Sequence, residues 1–60
     1  MYYTNRMEYQ CYNARGKRVD VAFDLHQAAT LAGEGGEIVL EHSVGESTWR
    51  VRDGVATLTR

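Results

Sequence analysis

The thiol and imidazole side chains of this 60-residue chain, Cys11, His26 and His42, are its candidates for zinc binding or a thiol–imidazole dyad. Zinc needs its ligands in closely spaced pairs, and no two of these three sit at knuckle or helix spacing. A Cys11–His42 dyad would need a third group to orient the imidazole and donors for an oxyanion, and no motif supplies either. Gly33-Glu34-Gly35-Gly36-Glu37 has the glycine content of a phosphate loop, but its glutamates would repel phosphate. Paired carboxylates for hydrolysis need a cleft, and a chain this short leaves little room for one beside a core. The expectation is a protein that is not an enzyme, with no cofactor, no metal and no small-molecule substrate.

Charge is the informative pattern. The whole chain carries −1, but its distribution is uneven. Residues 1–18 set Arg6, Arg15, Lys17 and Arg18 against Glu8. Residues 19–49 hold Asp20, Asp24, Glu34, Glu37, Glu41 and Glu46 with no Lys or Arg. Residues 50–60 return Arg50, Arg52 and Arg60 against Asp53. The central stretch has no cation near its helix end, where one would favour the dipole. Such acids either solvate a small protein or form a face for a basic partner. Glu41 is expected opposite Arg50 across two strands, a modest pair. The competing pattern is the first hairpin, where Tyr2 and Tyr12 interleave with Arg6, Arg15, Lys17 and Arg18. Aromatic rings among cations are how single-stranded nucleic acid is held.

These residues must be positioned by short elements. Tyr3 to Tyr12 alternates with period two, its odd positions facing inward. Asn13-Ala14-Arg15-Gly16 supplies a turn, and Val19, Val21 and Phe23 give a second strand's inner side. Asp24 reads as an N-cap, with Gln27 three residues on completing a capping box. Leu25, Ala28, Ala29 and Ala32 form one helix stripe, which Gly33, Gly35 and Gly36 end. Glu37 to Ser43, Thr48 to Arg52 and Val55 to Thr59 follow as strands, with Val44 to Ser47 and Asp53-Gly54 as turns, the latter of type I′. The expected inward set is Tyr9, Cys11, Val19, Val21, Phe23, Leu25, Ala28, Ala29, Ala32, Ile38, Leu40, Trp49, Val51 and Leu58, with Ala56 beside Leu58.

The expected fold class is therefore α+β, two-layer, in the order β-β-α-β-β-β, with one helix packed on an antiparallel sheet. Residues 1–60 form one compact domain. The longest apolar runs are three residues, too short to span a membrane, and the start, Met-Tyr-Tyr-Thr-Asn-Arg, lacks an apolar core, so no signal peptide is expected. One cysteine permits no internal disulfide and suits a reducing cytoplasm.

In size, element order and the acidic stretch from Asp20 to Glu46, the chain resembles the small phage-encoded inhibitors, in particular type I anti-CRISPR proteins. The resemblance implies a stoichiometric inhibitor acting in a host cell's cytosol as a DNA mimic. It would bind the basic DNA-recognition surface of a CRISPR surveillance complex and keep target DNA out. The residues expected to carry partner binding are Asp20, Asp24, Glu34, Glu37, Glu41 and Glu46, on a monomer. The alternative is a small single-stranded nucleic-acid-binding module using Tyr2, Arg6, Tyr12, Arg15, Lys17 and Arg18. A third reading is a self-associating accessory protein with Val39 and the open sheet face as interface.

Overall fold

A computed structural model describes residues 7–59. The elements are β1 (Tyr9–Tyr12), β2 (Arg18–Ala22), α1 (Leu25–Ala32), β3 (Glu37–His42), β4 (Gly45–Arg52) and β5 (Val55–Leu58). This is an α+β arrangement in the expected element order, with one helix and a five-stranded antiparallel sheet. The strands lie in the order β2-β1-β3-β4-β5. Both β2 and β3 run antiparallel to β1, so they are parallel to each other. A parallel pair cannot be closed by a tight turn, and α1 supplies the crossover.

α1 begins as the sequence predicts. The Asp24 side chain accepts the Gln27 N–H at 2.7 Å, and Gly33 at φ 79 closes the last turn. The Gln27 side chain reaches back to the Phe23 N–H, one residue before the position a capping box uses. The alanine stripe then lets the helix approach the sheet closely. Ala28, Ala29 and Ala32 join Cys11, Ala22, Ile38 and Val51 in the core, with Tyr9, Leu25, Trp49 and Ala56 packed around them. Pairing accounts for this set: Cys11, Ile38 and Trp49 share one cross-strand row. The Tyr9 and Trp49 rings meet edge to face, 5.7 Å apart, which adds a specific contact to the area they bury.

Three expectations are corrected. On β2 the inward residue is Ala22, and Val19, Val21 and Phe23 are not in the core; Val19 and Phe23 are about half exposed. Ala22 pairs with Tyr9 and so shares its face, while Val21 pairs with Gln10 on the other. The register shifts between Cys11 and Tyr12, which leaves Val19 as the extra residue of a bulge. Leu58 shares Trp49's row but lies on the edge strand, 60% exposed, and Ala56 is the β5 residue packed on the core. The β3–β4 connection is Ser43-Val44, not Val44 to Ser47, so β4 starts at Gly45 and runs eight residues.

The other turns follow their residues. Asp53 at φ 53 and Gly54 at φ 75 have the two positive values of a type I′ turn. The first strand begins at Tyr9, not Tyr3: Met7 precedes it, 57% exposed where alternation puts it inward, and the stretch from Tyr3 to Arg6 lies outside the described residues. Among the described residues, no helix is long and apolar enough to cross a membrane.

Candidate functional site

The sheet face opposite the core is assembled by register. One row runs Arg18, Tyr12, Glu37, Arg50 and Thr57 across all five strands. Beside it, Arg52 pairs with Val55. Toward the middle of the sheet come Val21, Gln10, Val39 and Thr48. Toward the other end, Glu41 pairs with Glu46.

The β1–β2 tip continues the first row. The Asn13 side chain accepts the N–H groups of Arg15 and Lys17 at 2.9 and 3.0 Å, and Gly16 takes φ 83. This folds the connection tightly on itself and leaves Arg15 and Lys17 exposed. The loop before β3 is pinned to the same end. Gly36 passes so close to the Tyr12 and Ala32 carbonyls that a Cβ would stand 2.6 Å from each oxygen. Gly35 donates to the Val51 carbonyl and Gly36 accepts from the Val51 N–H, each at 3.0 Å. The glycines thus bring the end of α1, the β1 terminus and β4 together.

Every Lys and Arg among the described residues lies at this end: Arg15, Lys17, Arg18, Arg50 and Arg52. Glu34, Glu37 and Asp53 share this end, and Glu8, Asp24, Glu41 and Glu46 lie at the opposite one.

The six expected partner-binding acids do not gather on one surface. Asp20 pairs with Cys11, on the core side of the edge strand, and its carboxylate accepts the Val21 N–H at 2.7 Å. Asp24 caps the helix. Glu34 accepts the N–H groups of Asp53 and Gly54 at 2.9 and 3.2 Å, and so buttresses the β4–β5 turn. Glu37 forms an ion pair with Arg50 at 3.2 Å. Glu41 therefore does not face Arg50, as the strand pattern predicts, but Glu46. The β3–β4 link is shorter than expected, and this moves the register.

Comparison with protein-family models, curated proteins and solved structures finds no match.

Of the alternative nucleic-acid set, Tyr12, Arg15, Lys17 and Arg18 come together at the basic end, while Tyr2 and Arg6 lie outside the described residues. Sequence reasoning missed Arg50 and Arg52 as their neighbours. A signal was present: both alternate with Trp49 and Val51, so they leave the sheet on its outer face. What no pattern contained is that β4 stands two places from β1.

The remaining reactive groups have ordinary roles. The Cys11 thiol is buried and donates to the Tyr9 carbonyl at 3.5 Å. Burial first, and the neighbouring Asp20 charge second, push its pKa up, so the thiol stays protonated. His42 Nε2 and Ser47 Oγ lie 3.1 Å apart at the exposed strand end. A shallow groove of about 280 Å³ runs between α1 and β5, lined by Leu25, His26, Ala29, Gly54, Val55 and Ala56.

Proposed function

We propose that this chain is a non-enzymatic binding domain that holds a single-stranded nucleic acid on the outer face of its sheet. In this reading helix and sheet form two layers, and the sheet face away from the helix is the binding surface. One observation carries it: the described cations all converge at one end of the sheet, with Tyr12 between Arg18 and Arg50 in the same row. Tyr12 would stack a base. Arg18, Arg52 and the Arg15/Lys17 tip would meet phosphates. A buried free thiol suits action in a reducing cytosol.

The test is fluorescence anisotropy with labelled oligo-dT and oligo-U at low salt. Binding should weaken linearly in log–log form with added salt, with a slope of roughly −0.7 per phosphate contact. Arg18→Gln with Arg52→Gln should lose most of the affinity while the fold persists. If the wild-type protein binds neither oligonucleotide at low salt, the reading is wrong.

A second reading rests on a separate observation. Glu41 and Glu46 are directly paired at the end of the sheet that holds no described cation. Like charges so placed cost stability and call for a purpose. This pair supports docking on a basic protein surface, the mode that resemblance to the anti-CRISPR inhibitors implies for the DNA-recognition surface of a surveillance complex. Charge reversal at both positions should abolish capture of such a complex. The other acids of the original set have intramolecular partners and support this mode less.

A further inference from the structure

Glu37 occupies a position that the nucleic-acid reading leaves unexplained. It stands in the row between Tyr12 and Arg50, where an acid is the wrong charge for binding phosphate. Its carboxylate lies 3.2 Å from the Arg50 guanidinium, and both side chains are close to half exposed. A pair this open is weak and readily exchanged. It still biases a long side chain toward one of its many rotamers.

We infer that Glu37 acts as a built-in competitor: it holds Arg50 in place until a phosphate of the bound strand displaces it. The inference rests on the proposed nucleic-acid function and concerns the regulation of that same site. Three features support it. Among the described residues Arg50 pairs with a carboxylate, while Arg18 at the other side of Tyr12 has none in register. Glu37 holds Arg50 through one contact, Nη2 to Oε2, and a phosphate oxygen accepts from the same N–H, so one acceptor can replace the other with little movement of Arg50. Arg18 and Arg50 stand three strand spacings apart, roughly 14 Å, so one extended strand can lie across both with Tyr12 beneath it. Freed of Arg50, the Glu37 carboxylate swings into solvent or toward the strand's sugars, and its charge opposes binding throughout. The bound chain must therefore offer several phosphates, and a single inorganic phosphate should not suffice.

The experiment compares wild type, Glu37→Gln and Glu41→Gln in the oligo-dT and oligo-U assay, at one fixed low salt. Both variants remove one negative charge from the same strand and the same face. Circular dichroism and a thermal melt confirm that each folds. Glu37→Gln should tighten binding about three- to fivefold, and Glu41→Gln by less than twofold. Equal gains from both variants would overturn the inference, because Glu37 would then act through net charge alone. Weaker binding by Glu37→Gln would overturn it too, because the carboxylate would then be needed to position Arg50. Wild-type binding that depends on Arg18 but is unchanged by Glu37→Gln rejects this inference and leaves the nucleic-acid function standing. No binding by any of the three proteins rejects both.

Discussion

The Glu34 carboxylate accepts the backbone N–H of Asp53 at 2.9 Å, across nineteen residues of chain. The same carboxylate takes the Gly54 N–H at 3.2 Å. A type I′ turn points these two amides outward, and an acid that looks free in the sequence closes them. Glu34 thereby ties the loop after α1 to the β4–β5 hairpin, beside the Gly35–Val51 hydrogen bond.

Removing that tie should be measurable. Glu34→Ala is expected to lower stability by about 1 kcal/mol, the loss of charge-assisted bonds at an exposed site. Urea denaturation checks it, with Glu46→Ala as the comparison. Glu46 faces Glu41, so its removal should be neutral or slightly stabilising. Equal losses from both variants would show that Glu34 does not buttress the turn.

Gly36 is expected to tolerate no side chain. A Cβ there would meet two backbone oxygens, of Tyr12 and Ala32, at 2.6 Å, and neither can swing aside as a flexible side chain could. Gly36→Ala should cost about 2 kcal/mol or more. Gly16→Ala is a useful contrast: nothing lies within 4 Å, and only its positive φ resists the change. Thermal melts of the two should rank them in that order.

Cys11 should resist alkylation in the folded protein. Its pKa is raised, so the neutral thiol is favoured by folding. That contribution to stability is fully present below the ordinary thiol range. It is lost as pH rises through that range to the folded value, because the unfolded chain ionises first. Iodoacetamide labelling should therefore be slow in native buffer and fast in urea. Stability of wild type should fall relative to Cys11→Ala in that alkaline window. Rapid native labelling would contradict the buried placement.

The two faces of β2 can be told apart by substitution. Ala22 is fully buried in the core cluster with Ala28, Ala29 and Ala32, so Ala22→Leu should overpack the core and cost about 1–3 kcal/mol. Val21→Thr, on the outer face, should change stability by less than about 1 kcal/mol. Chemical denaturation of the pair would show whether the inward residue is Ala22 or, as alternation alone predicts, Val21.

Local chemistry was legible without the structure because it is set within a few residues. Asp24 as helix cap, the alanine stripe, the Asp53-Gly54 turn and the element order all follow from propensity and short-range hydrogen bonding. Tertiary pairing decided the rest. Alternation along Val19, Val21 and Phe23 has the right period, but a bulge at Val19 and the pairing of Ala22 with Tyr9 choose the face. The acidic stretch looks continuous in the chain. In space, Asp24, Glu34 and Glu37 are taken up by a helix end, a turn and an arginine, leaving Glu41 beside Glu46. Arg18 and Arg50 are distant in sequence and share a row only because β1 and β3 lie between β2 and β4. Charge counts along a chain say how many ions there are; hydrogen-bonded strand order alone determines which of them meet, because pairing fixes position to within one residue.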